Sequence, residues 1–85
     1  MKSVTLSVSA LKQLEEWKKI NPGILKKIIE LITDISTNPF TGIGKPEPLR
    51  HELKGKWSRR ITDEHRLVYE IKNETIVIVS CMYHF

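Results

Sequence analysis

Between Asn38 and Pro48 the chain carries three prolines and two glycines in eleven residues, a density at which no regular helix or strand is expected. Each proline fixes its own φ and removes a backbone donor, and each glycine loosens the backbone where it stands. The segment therefore splits the 85 residues into a helical part before it and a strand-rich part after it. Neither part is long enough to build its own core, so residues 1–85 are expected to form one domain. A long loop inside so small a domain is a natural place for function.

Ahead of the loop, residues 2–6 are rich in β-branched side chains and read as a first strand. Ser7 can cap a helix running to about Ile20, with Val8, Leu11, Leu14 and Trp17 at three-residue spacing on one side. Asn21-Pro22 signals a second start, with Asn as the cap and Pro at the first helical position. Ile24, Leu25, Ile28, Ile29, Leu31, Ile32 and Ile35 then make one broad apolar stripe, which Asn38-Pro39 ends.

Behind the loop, residues 49–53, 56–62, 65–72 and 75–82 read as four strands. Lys54-Gly55, Asp63-Glu64 and Asn73-Glu74 connect them, so the strands should form an antiparallel meander. Leu67, Tyr69 and Ile71 share the face assigned to the core, and Arg66, Val68 and Glu70 take the other. A two-residue turn at Asp63-Glu64 would place Ile61 opposite Arg66 and Arg59 opposite Val68. Ile76-Val77-Ile78-Val79 is apolar on both parities and reads as a central strand. The expected fold is α+β, a strand and two helices packed on one face of a mainly antiparallel sheet.

Fourteen Lys+Arg against ten Asp+Glu give a net charge of +4 and a pI near 9.4, which favours an anionic partner. Cys81 is the only cysteine, so no intrachain disulfide can form and a reducing, cytoplasmic setting is expected. Neither a signal peptide nor a membrane span is expected, since Ser3, Thr5, Ser7 and Ser9 interrupt the N-terminal apolar residues.

Glu47 lies between Pro46 and Pro48, so its carboxylate stands on stiffened backbone. It reads either as a positioned general base or as a solvated loop residue. His84 could protonate a leaving oxygen from the end of a firmly held strand. Arg66, on the face away from the helices, could meet phosphate with its planar fork of donors. Arg59 and Arg60 have opposite parities, so at least one should serve solubility or an internal ion pair. A rigid Glu, a His and an Arg suit cleavage of RNA by its own 2′-hydroxyl, with no cofactor and no metal. His51, His65, His84 and Cys81 lack the paired spacing of a zinc site.

The run from Asn38 to Leu49, then Gly55-Lys56-Trp57-Ser58-Arg59-Arg60-Ile61, His65-Arg66-Leu67-Val68-Tyr69 and Cys81-Met82-Tyr83-His84-Phe85 closely resembles the Txe/YoeB branch of the RelE toxin superfamily. The resemblance spans the chain, weakly over the first helix and strongly from Asn38 onward. It implies a RelE-like fold and a toxin of a bacterial type II toxin–antitoxin pair, an mRNA endoribonuclease that cuts in the ribosomal A site. By the same resemblance Glu47 would be the general base, His84 the general acid and Arg66 the arginine that stabilises the transition state. Lys45, His51 and Arg60 would line the RNA path, with Arg50, Arg59 and Phe85 as further RNA-binding candidates. Arg50 stands where relatives often have lysine. Phe85 departs from the family, which typically ends His-Tyr, so the terminal hydroxyl is lost and only stacking remains. The implied partners are a YefM-type antitoxin with an acidic C-terminal segment, operator DNA bound through that complex, and a second copy of the chain as a homodimer. The competing reading is a non-catalytic module that binds rRNA or DNA through the same basic face. A third is a sheath for an acidic protein.

Overall fold

A computed structural model of the chain describes residues 2–83. The elements are β1 (Ser3–Leu6), α1 (Val8–Ile20), α2 (Pro22–Thr37), β2 (Glu47–Pro48), a 3₁₀ turn (His51–Leu53), β3 (Lys56–Arg60), β4 (Arg66–Lys72) and β5 (Thr75–Ser80). The strands form one sheet in the order β1-β5-β4-β3-β2, with β1 parallel to β5 and every other pair antiparallel. This is the expected α+β arrangement, with β5 lying between β1 and β4.

The helix starts are set by their caps. The Ser7 hydroxyl accepts from the Ala10 N–H at 3.0 Å and donates to the Val79 carbonyl at 2.7 Å, tying α1 to the far end of β5. Asn21 accepts from the Ile24 N–H at 3.3 Å, with Pro22 at the first helical position. On α2, Ile28, Leu31 and Ile35 are fully buried against Leu67, Tyr69, Ile76 and Ile78 of the sheet. Ile29 is not part of that face and stands 53% exposed. On α1 the buried positions are Ala10 and Trp17, with Leu14 packed beside them, while Val8 and Leu11 are exposed. Three-residue steps fall about 60° behind the helix at each repeat. The spacing expected to form one stripe therefore winds off the core at its N-terminal end.

Three corrections concern the second half. Residues 49–53 do not form a strand; the chain turns through a 3₁₀ helix there, with His51 at φ +59°. The loop instead ends in a two-residue edge strand, Glu47–Pro48, paired with Ser58 and Trp57. Proline is tolerated at a sheet edge, where its missing N–H leaves no ladder bond unmade.

The connection between β3 and β4 spans Ile61 to His65, closed by N–H bonds from Ile61 and Thr62 to the His65 carbonyl at 3.0 and 3.2 Å. The Thr62 hydroxyl accepts from the Glu64 and His65 N–H groups. Arg60 is thus opposite Arg66 and Arg59 opposite Leu67, one residue away from the register that a two-residue turn would give. Because side chains alternate, that single step moves Arg59 to the helix-covered face. β5 also carries one extra residue, Val79, where the pairing slips between Val68 and Tyr69.

Candidate active site

Arg59 has no solvent exposure. Its Nη1 donates to Asp34 and to the Ile43 carbonyl, its Nη2 to the carbonyls of Asn38 and Thr41, and its Nε to the Tyr69 hydroxyl. Tyr69 in turn donates to the Pro39 carbonyl at 2.6 Å, and the Ile43 N–H donates to Asp34. The expectation that Arg59 binds RNA is corrected: it is an internal ion-paired residue that pins the proline–glycine loop to the core. The Arg59 guanidinium holds the Asp34 carboxyl below its usual range against a smaller opposing effect of burial, with the Ile43 N–H assisting. Burial pushes the Tyr69 phenol up, with Arg59 pulling the other way.

Beyond the pinned segment, Gly44 adopts φ +80° and its carbonyl accepts from the Arg60 N–H at 2.6 Å. A Cβ here would lie 2.8 Å from Leu31 Cδ2 and 3.1 Å from the Arg60 carbonyl oxygen. Only glycine combines that conformation with that closeness. Lys45 follows at φ +52°, and the chain then enters the β2 edge strand with Glu47 opposite Ser58.

Ser58 is in turn opposite Val68, and Arg60 opposite Arg66, so all these residues share the face turned away from the helices. Lys45, Glu47, Ser58, Arg60 and Arg66 line one open cleft there. Two arginines directly opposite on neighbouring strands repel each other. Arg66 is held in place nonetheless, since its Nη1 donates to the carbonyls of Thr62, Asp63 and His65 at 2.7–3.2 Å. Three cations against one carboxylate make the cleft a receptor for an anion, and guanidinium forks match phosphate oxygens in geometry.

The structure thus brings Glu47, Arg66, Lys45 and Arg60 together. Arg50 and His51 are both exposed, at the entry to the 3₁₀ turn, and neither lines this cleft. His84 and Phe85 lie outside the described residues. Ser58 is a member that sequence reasoning missed. Its only signal was shared strand parity with Arg60, which matters once Glu47 is known to pair with it. Among the described residues no three His, Cys, Asp or Glu side chains converge to hold a metal ion.

Residues 6–85 match the family described as the YoeB-like toxin of bacterial type II toxin–antitoxin systems. The Toxin YoeB of Escherichia coli K12 is 54% identical over 69 residues, covering 81% of this chain and 82% of that protein. Among solved structures, the YoeB dimer from Staphylococcus aureus superposes with a TM-score of 0.90 at 41% identity, covering 99% of this chain and 98% of that one. The YoeB–YefM complex from the same organism gives 0.89 at 42% identity, covering 100% and 99%.

Proposed function

We propose, from the premise that this chain belongs to the YoeB-like toxins of bacterial type II toxin–antitoxin systems, that it is a ribosome-dependent endoribonuclease cutting mRNA in the A site. The observation that supports the reading is the cleft in which one carboxylate, Glu47, shares the lining with three cations, Lys45, Arg60 and Arg66.

In the reaction Glu47 takes the proton of an RNA 2′-hydroxyl, and the 2′-oxygen attacks the adjacent phosphorus. Arg66 stabilises the charge that builds on the non-bridging oxygens, helped by Arg60. The bond to the 5′-oxygen breaks as that oxygen receives a proton from His84, leaving a 2′,3′-cyclic phosphate and a free 5′-hydroxyl. Acid and base steps of this kind contribute roughly a hundred- to ten-thousand-fold each. Carbonyl-anchored Arg66 needs little reorganisation as charge develops, which is what electrostatic stabilisation requires. A YefM-type antitoxin with an acidic segment would neutralise the toxin by occupying the same cations, and the pair would repress its own operon through operator DNA. The S. aureus relatives, solved as a YefM complex and as a dimer, support the antitoxin as a partner and self-association as a homodimer.

Primer extension on one mRNA, with and without translating ribosomes, tests the reading. Cuts in register with the A-site codon, dependent on ribosomes and abolished by Glu47→Ala and by His84→Ala, are the expected result. RNA binding without cleavage by folded protein would replace the nuclease with a binding module.

A further inference from the structure

His65 is absorbed by none of the roles above, and its geometry is specific. Its Nδ1 accepts the backbone N–H of Tyr83 at 2.7 Å. The next residue completes the grip, since the Arg66 N–H donates to the Tyr83 carbonyl at 2.8 Å. Both backbone polar groups of Tyr83 are therefore held by consecutive residues, and in one of the two bonds an imidazole nitrogen takes the place of a strand carbonyl. Tyr83 itself stands at φ +62°, a conformation that a bulky residue adopts only when its surroundings hold it there. The ring of His65 is fixed as well. It meets the Trp17 ring edge-on at 4.7 Å, lies 5.3 Å from the Tyr83 ring, and its side chain is only 12% exposed. Trp17 is anchored by its Nε1–H to the Cys81 carbonyl at 2.9 Å.

We infer that His65 is a positioning residue, whose neutral imidazole, protonated at Nε2, holds the left-handed turn at Tyr83 and so directs the backbone that leads into His84. It touches both ends of the proposed chemistry. Its own carbonyl receives the Arg66 guanidinium at 3.2 Å, and its Nδ1 holds the residue covalently joined to the proposed acid. The catalytic consequence rests on the nuclease reading above; the clamp itself does not.

The clamp is available to one protonation state. An imidazolium carries N–H at both nitrogens, so Nδ1–H would confront the Tyr83 N–H and the bond would be lost. The groups facing the ring are few. Glu64 Oε1 lies 3.9 Å from Nε2, and the Arg66 guanidinium reaches the His65 carbonyl. α1 presents the Trp17 ring and the C-terminal segment presents the Tyr83 phenol. Protonation of His65 should therefore release the clamp.

Two measurements on the purified full chain test this. In ¹⁵N NMR, long-range correlations read the His65 tautomer, and the Tyr83 amide reads the bond. The expected result is the Nε2–H tautomer, with a downfield, exchange-protected Tyr83 amide that loses both properties as His65 protonates. An Nδ1–H tautomer, or a Tyr83 amide indifferent to that protonation, overturns the inference whether or not the protein cuts RNA. In ribosome-dependent cleavage, His65→Asn places an amide oxygen near the lost Nδ1 and should retain most of the rate. His65→Leu should lose about 100-fold in kcat, as expected for a misplaced catalytic group, with ribosome affinity unchanged. Equal loss in both variants would reduce His65 to a ring packed on Trp17, and wild-type rates in both would remove it from the mechanism. Absence of cleavage by wild-type protein would count against the nuclease alone, because the NMR measurement would still decide the clamp.

Discussion

Replacing Arg59 by lysine keeps the charge and the length of the side chain and removes only the fork. Arg59 makes five hydrogen bonds, to Asp34, Tyr69 and three backbone carbonyls. An ammonium has three protons, so at least two acceptors lose their donor. At roughly 1 kcal/mol net for each buried bond, with somewhat more for those made by a charged donor, the change should cost about 2–3 kcal/mol. Against a total stability of about 4–13 kcal/mol for a chain of this length, that is a large fraction. It corresponds to a fall of about 10–20 °C in the melting temperature. Arg59→Met, which also leaves Asp34 unpaired, should cost about 3–5 kcal/mol and serves as the upper bound. Arg60→Lys, on the exposed cleft wall, should stay within about 0.5 kcal/mol of wild type. Thermal melts followed by circular dichroism compare the three. An Arg59→Lys melt within about 2 °C of wild type would refute the argument, especially if RNA affinity fell instead, since that pairing of results belongs to an arginine facing RNA.

Gly44→Ala should destabilise the chain and depress cleavage together, because the new methyl meets Leu31 and the Arg60 carbonyl and displaces the residues leading to Glu47; melts and initial rates on the same preparation check this. The lowered Asp34 carboxyl supplies stability that is present above the ordinary carboxylate range and lost as pH falls through its folded value. The stability gap between wild type and Asp34→Asn should therefore shrink below about pH 4, and a gap constant from pH 7 to 2 in urea titrations would contradict it. Burial pushes the Cys81 thiol up to about 11, so a disulfide reagent at neutral pH should modify it no faster than the protein unfolds. Glu47→Gln keeps the shape of the cleft wall and removes its carboxylate. Cleavage should fall at least about 100-fold while affinity for ribosomes holds or rises, which single-turnover kinetics and filter binding separate.

Much of the fold could be read from local signals. The caps at Ser7 and Asn21, the stripe of α2 and the double-sided apolar run of β5 each state their structure within a few residues. The parallel pairing of β1 with β5 could not be read that way, since its partners lie 72 residues apart and no turn announces them. The fate of Arg59 turned on the length of one connection. Asp63-Glu64 looks like a complete turn, but the Thr62 hydroxyl and the His65 carbonyl extend it to five residues, reversing the parity of everything before it. The site was half legible for the same reason. Glu47 between prolines and Arg66 on an alternating strand carry their own signals. Ser58 and His65 gain meaning only from the partners that folding brings to them.

The position of β5 has a consequence for how this protein comes into being. β1 is translated first, yet in the described sheet its only partner is β5, the last strand to be made. β4 likewise gains its second neighbour only then. No early fragment can close the sheet, and contacts at such sequence distance are slow to form. During synthesis, the strands that carry the cleft, β2, β3 and β4, therefore lack their β5 neighbour until that last strand emerges. The interval before the sheet closes is time in which an inhibitor could capture the unfinished fold.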